Sequence, residues 1–78
     1  MYSINELSKT CIVQTFMIHG PLADVIRVID LDVRDYINEK QQDYWFIQNI
    51  QHTILIDPPE SLRTGVYIVH LVMSRMYD

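Results

Sequence analysis

Apolar and polar residues alternate with a short period in some stretches of the chain and a longer one in others, and the changes of period divide it into elements. From Thr10 to His19 most positions are β-branched or aromatic, among them Ile12, Val13, Thr15, Phe16 and Ile18, and the run stops at Gly20-Pro21. Such a run closed by glycine and proline predicts a strand. Upstream, Ser3 and Glu6 have capping-box spacing, which predicts a short helical turn over Ile4 to Lys9.

Past Gly20 the period lengthens. Pro21 suits the first position of a helix, where its missing N–H would have no partner, and Asp24 in the first turn complements the helix dipole. On a helical projection Leu22, Val25, Ile26, Ile29, Val33, Tyr36 and Ile37 fall within an arc of about 120°. Asp24, Asp32, Asp35, Glu39 and Asp43 gather in an adjoining arc of about 100°. The stretch therefore predicts an amphipathic helix. A strand over Val28 to Ile37 competes with it, because Ile29, Leu31 and Val33 alternate with Asp30, Asp32 and Arg34, and Val, Ile and Asp are weak helix formers. That alternative makes the protein an all-β antiparallel meander of four strands, with Asn38 to Asp43 as a hairpin loop.

Alternation at period two returns after Asp43. One parity carries Tyr44, Phe46, Ile50, Ile54 and Ile56, interrupted by Gln48 and His52, and the other Asn49, Gln51, Thr53 and Asp57, which predicts a strand from Trp45 to Asp57 with one wet face. Asp57-Pro58-Pro59-Glu60-Ser61 must turn, since neither proline can donate to a ladder, and Glu60 to Arg63 has room for one helical turn. Gly65 opens a last strand running to Tyr77. Val66, Ile68, Val72 and Met76 lie on one of its sides and Tyr67, Val69, Leu71 and Met73 on the other, so both faces call for cover. One helix covers one face. The other is assigned to self-association through Tyr67, Val69, Leu71 and Met73, giving a homodimer. The expected fold is one α+β domain over residues 1–78, a three-stranded antiparallel sheet (Thr10 to His19, Trp45 to Asp57, Gly65 to Tyr77) covered by one amphipathic helix.

Composition sharpens this picture. The chain has 78 residues, of which 49% are hydrophobic, more than a lone sheet of that length hides easily, so association with another surface is expected. The net charge is −4 and the six Lys and Arg residues are scattered singly, which argues against direct binding to nucleic acid through phosphates. A single cysteine, Cys11, offers neither an intrachain disulfide nor a zinc knuckle. The N-terminal residues lack signal-peptide features, and no apolar run approaches the roughly 20 residues a bilayer requires. The expectation is a soluble cytoplasmic protein with no membrane partner.

Chemistry-bearing residues are sparse. His19, His52 and His70 show neither HxH nor HxxxH spacing, so no metal site is expected. No nucleophile-elbow pattern surrounds Ser3, Ser8, Ser61 or Ser74, and Cys11 among Thr10, Ile12 and Val13 reads as a small hydrophobe. With only Gly20 and Gly65 there is no phosphate-cradling loop. No catalytic residue and no cofactor is therefore expected. Tyr44, Trp45 and Phe46 form an aromatic triplet, read chiefly as core at the mouth of a strand.

The acid stripe is the remaining candidate. Its bland meaning is a solvated helix face. The sharper meaning is recognition, because Val28 and Leu31 sit within or beside it, and apolar residues ringed by charge give an interface a desolvated centre and a steering rim. Asp24, Val28, Leu31, Asp32, Asp35 and Glu39 are the candidate partner-binding residues. The function expected from sequence is a non-enzymatic protein-binding module, a small acidic inhibitor or modulator occupying a basic site on a larger protein. The alternative is a structural subunit that assembles with itself.

Overall fold

A computed structural model describes residues 2–7 and 11–75 of the chain. Strand β1 (Tyr2–Leu7) and strand β2 (Cys11–Pro21) are followed by helix α1 (Leu22–Gln42), strand β3 (Phe46–Ile56), a single 3-10 turn at Glu60–Leu62 and strand β4 (Thr64–Ser74). All neighbours pair antiparallel in the order β1-β2-β4-β3. The expected α+β domain is present: β2, β4 and β3 are the three predicted strands, and α1 covers one face of their sheet.

The meander alternative is overturned, since residues 22–42 form one helix. Val, Ile and Asp lower its intrinsic propensity, but Val25, Ile29 and Val33, spaced four apart, are buried together on the sheet, and tertiary burial outweighs propensity. The helix begins without a side-chain cap. The Leu22 N–H instead donates to the Arg63 carbonyl at 2.9 Å, so the loop after β3 closes the helix start. At the other end Trp45 N–H donates to the Lys40 carbonyl and Tyr44 N–H to that of Gln41, both at 3.1 Å, with Tyr44 left-handed at φ 66°. This is the Schellman arrangement, and it tucks Trp45 into the core while leaving Tyr44 in solvent.

The expected helical turn at Ile4 to Lys9 is a correction as well. Residues 2–7 form a strand paired with residues 12–17 of β2, and residues 8–10 lie outside the described part. A helix of one turn carries the full nucleation cost for little return, whereas the same backbone groups are satisfied by the β2 edge. Met76 and Tyr77, expected to end the last strand, also lie outside the described residues.

The core lies between α1 and the β2–β4 pair. Ile12 and Phe16 of β2 meet Tyr67, Val69, Leu71 and Met73 of β4 beneath Val25, Ile29 and Val33, and Trp45 closes one end. This reverses the assignment of the β4 faces. Tyr67, Val69, Leu71 and Met73, expected to form the self-association surface, are the side buried under the helix, all at 5% exposure or less. The physical reason is continuity: that parity is unbroken by small polar residues, whereas the Val66, Ile68, Val72 parity is interrupted by His70 and Ser74. The latter parity forms the open face, where its apolar members are only partly shielded.

Candidate functional site

Burial of one stripe of α1 fixes what its other sides present. Tyr36 meets Phe16 of β2 edge-on with ring centroids 5.7 Å apart, so its flank points across β2. Asp30 hydrogen-bonds to Tyr67 of β4, so its flank points across β4 toward β3. On the helical projection Leu31, Asp24, Asp35, Val28, Glu39 and Asp32 follow one another from the solvent apex down the β2-side flank, within an arc of about 100°. The structure thus gathers all six sequence-predicted residues into one strip. Asp24, Asp35 and Glu39 are exposed and Asp32 is half-buried, while Val28 and Leu31 retain 37% and 45% exposure among them. Asp24 also approaches Arg27 at 3.7 Å, an exposed pair of little energetic weight.

A second surface is the edge strand β3, whose alternation predicts only an ordinary strand with one wet face. Every residue of β3 is exposed. A bulge between Ile47 and Asn49 shifts the register with β4, so Phe46 falls opposite Ser74 on the open face, while Ile47, Ile50, His52, Ile54 and Ile56 share the helix side. The predicted parity that joined Phe46 to Ile50, Ile54 and Ile56 fails at that bulge. Because α1 sits over β2 and β4, it does not reach across β3. Phe46, Ile47, Ile50, Ile54, Leu55 and Ile56 consequently keep between 36% and 55% of their surface in solvent. At its C-terminal end β3 borders an open hollow of about 500 Å³ lined by Pro21, Leu22, Ile56, Leu62 and Arg63 among others.

Between the two surfaces runs a chain of polar side chains that no local motif announces. The Tyr67 hydroxyl donates to Asp30 Oδ1 at 3.2 Å and lies 2.6 Å from His52 Nδ1. With the single Tyr67 proton donated to Asp30, the phenol oxygen is left to accept from a His52 ring that carries hydrogen on Nδ1. Burial raises the Tyr67 pKa above its ordinary value, and the neighbouring Asp30 charge and hydrogen bond push in the same direction. This chain links helix, central strand and edge strand. Cys11 and Ser74 belong to the opposite face of the sheet and so cannot serve as nucleophiles beside it.

The remaining histidines lie on the open face. His19 pairs with Asp57, and Thr15 Oγ1 lies 2.9 Å from His70 Nδ1. His70 is opposite Gln51 and His52 opposite Val69, so the two histidines project from different faces. Among the described residues no cluster of three His, Cys, Asp or Glu side chains has metal-binding geometry. The aromatic triplet divides: Trp45 is core with the Arg75 guanidinium 4.5 Å from its ring centroid, whereas Tyr44 and Phe46 are exposed. Among the described residues no helix is long and apolar enough to cross a membrane.

No family model, no curated protein and no solved structure matches this chain.

Proposed function

We propose that this domain is a non-enzymatic protein-binding module, and that the carboxylate strip of α1 docks on a basic surface of a larger protein, as an inhibitor or modulator of that protein would. The observation that supports this reading is the exposure of Val28 and Leu31 inside a strip otherwise made of Asp24, Asp32, Asp35 and Glu39. Val28 and Leu31, three residues apart on the helix, are neighbours and give the strip a small apolar centre. In an interface they supply the desolvated centre while the surrounding carboxylates steer approach and fix orientation.

The rest of the molecule is consistent with a scaffold for that strip. The helix is held by a continuous apolar core, its start is closed by the Arg63 carbonyl and its end by the Schellman turn, so the strip is presented on a rigid element. The experiment is affinity capture from the native host with three proteins in parallel: wild type, Asp32→Lys/Asp35→Lys/Glu39→Lys, and Leu31→Asp. The reading expects one partner retained by wild type and lost by both variants. The same partner captured equally by all three would exclude the acid strip as the binding surface.

A further inference from the structure

We propose that strand β3 is a self-association edge, on which a second copy of this chain adds its own β3 antiparallel about a two-fold axis, joining two four-stranded sheets into one. This goes beyond the reading of α1 as a partner-binding strip and uses a different surface.

The first ground is the edge itself. Exposed edge strands in monomers are usually short, interrupted by proline, or marked with charge, because their unpaired N–H and C=O groups recruit other strands. β3 runs for eleven residues, Phe46-Ile-Gln-Asn-Ile-Gln-His-Thr-Ile-Leu-Ile56, without an Asp, Glu, Lys, Arg or Pro. Its only irregularity is the bulge near Gln48, which leaves the register regular from Asn49 to Ile56. The flanking Asp57-Pro58-Pro59 then ends the available ladder.

The second ground is area. The six large apolar residues of β3 leave on the order of 500 Å² in solvent over the two faces beside the edge, an apolar exposure of the size that marks interaction sites.

Charge is compatible with a second copy as the occupant. The chain carries −4, so copies repel unless they meet where the acids are not. The acid strip lies on the β2-side flank of α1, away from β3, the edge is uncharged, and Asp30 on the β3-side flank is engaged by the Tyr67 hydroxyl. Antiparallel pairing about an axis normal to the sheet keeps both helices on one side, opposes residues of like parity, and so brings helix-side isoleucines of one copy against those of the other. The two acid strips then face outward, apart and both free for a basic partner.

Sedimentation velocity on the full chain over a wide concentration range tests this, with hydrogen exchange of residues 46–56 measured at the same concentrations. Wild type is expected to sediment at twice the chain mass, and exchange in β3 to slow as concentration rises. Ile54→Lys/Leu55→Lys places one charge on each face of the edge at already exposed positions, so the fold survives, as circular dichroism will verify, and dimerisation weakens by at least about tenfold. The triple charge reversal on α1 is expected to leave the dimer intact, which separates this inference from the acid-strip reading. A wild-type monomer at every concentration, whether alone or bearing another protein's strand on β3, overturns the proposal. So does a dimer indifferent to Ile54→Lys/Leu55→Lys.

Discussion

His52 and Tyr67 are diagonal neighbours on the helix side of the β3–β4 ladder, with rings nearly parallel, 16° apart and 5.9 Å between centroids, and with Nδ1 2.6 Å from the phenol oxygen. The same phenol reaches Asp30 on the helix, so one side chain of the central sheet holds the edge strand on one hand and the helix on the other. Removing its oxygen cuts both ties but buries no new unpaired charge, because Asp30 and His52 are exposed. Tyr67→Phe is expected to cost about 0.5–1.5 kcal/mol in urea unfolding. Hydrogen exchange is expected to quicken in β3 before the core.

The raised Tyr67 pKa has a stability consequence with a definite sign. The folded state holds this proton more tightly than the unfolded chain, whose tyrosines titrate near about 10, so stability is unaffected below that pH and falls as pH rises past it. Absorbance titration of phenolate is expected to show Tyr67 ionising after a tyrosine in the unfolded chain would. Tyr67→Phe should remove that part of the alkaline loss of stability.

Gly65 is where β3, β4 and the helix start come closest. A Cβ there would stand 2.2 Å from the Leu55 carbonyl oxygen and 3.1 Å from Leu22 Cδ2. The first neighbour is backbone and cannot rotate away, so β3 must move. Gly65→Ala is expected to cost more than about 2 kcal/mol in chemical denaturation. A neutral result would mean that the β3–β4 ladder is looser at this end than the structure has it.

Tyr44 holds a left-handed conformation that a side chain disfavours, and 73% of its surface is in solvent. Glycine adopts that conformation without the Cβ penalty of about 1–2 kcal/mol, at the cost of a more flexible unfolded chain. Tyr44→Gly is therefore expected to be stabilising by about 0.5 kcal/mol, read as a rise in the urea midpoint at constant slope.

The helix was legible in the sequence because its buried stripe of Val25, Ile29 and Val33 repeats at helical spacing, and the same projection grouped Asp24, Val28, Leu31, Asp32, Asp35 and Glu39. Which face of β4 the helix covers was not legible by counting apolar residues, since both parities are rich in them. His70 and Ser74 were the available signal for the open side. The bulge falls where Gln48 interrupts the apolar parity, a break that alternation alone does not distinguish from an ordinary polar position such as His52, and it moved Phe46 to the other face. The Asp30–Tyr67–His52 chain depends on long-range register, so nothing local in the sequence foretold it. Exposure of β3 followed from strand order: the helix spans the two central strands, β2 and β4, and the β3 edge falls outside its shadow. The chain's lack of charge over residues 46–56 was visible throughout, but acquires meaning only once that strand is known to be an edge.

Whether the acid strip of α1 steers and seats a basic partner is decided by stopped-flow association of the captured partner with wild type and with Asp32→Lys/Asp35→Lys/Glu39→Lys, at low and high salt. Wild type is expected to associate fast and with strong salt sensitivity, and the reversal at least about tenfold more slowly at low salt, with the two converging as salt screens the field. Equal association rates at low salt would contradict steering by the acid strip.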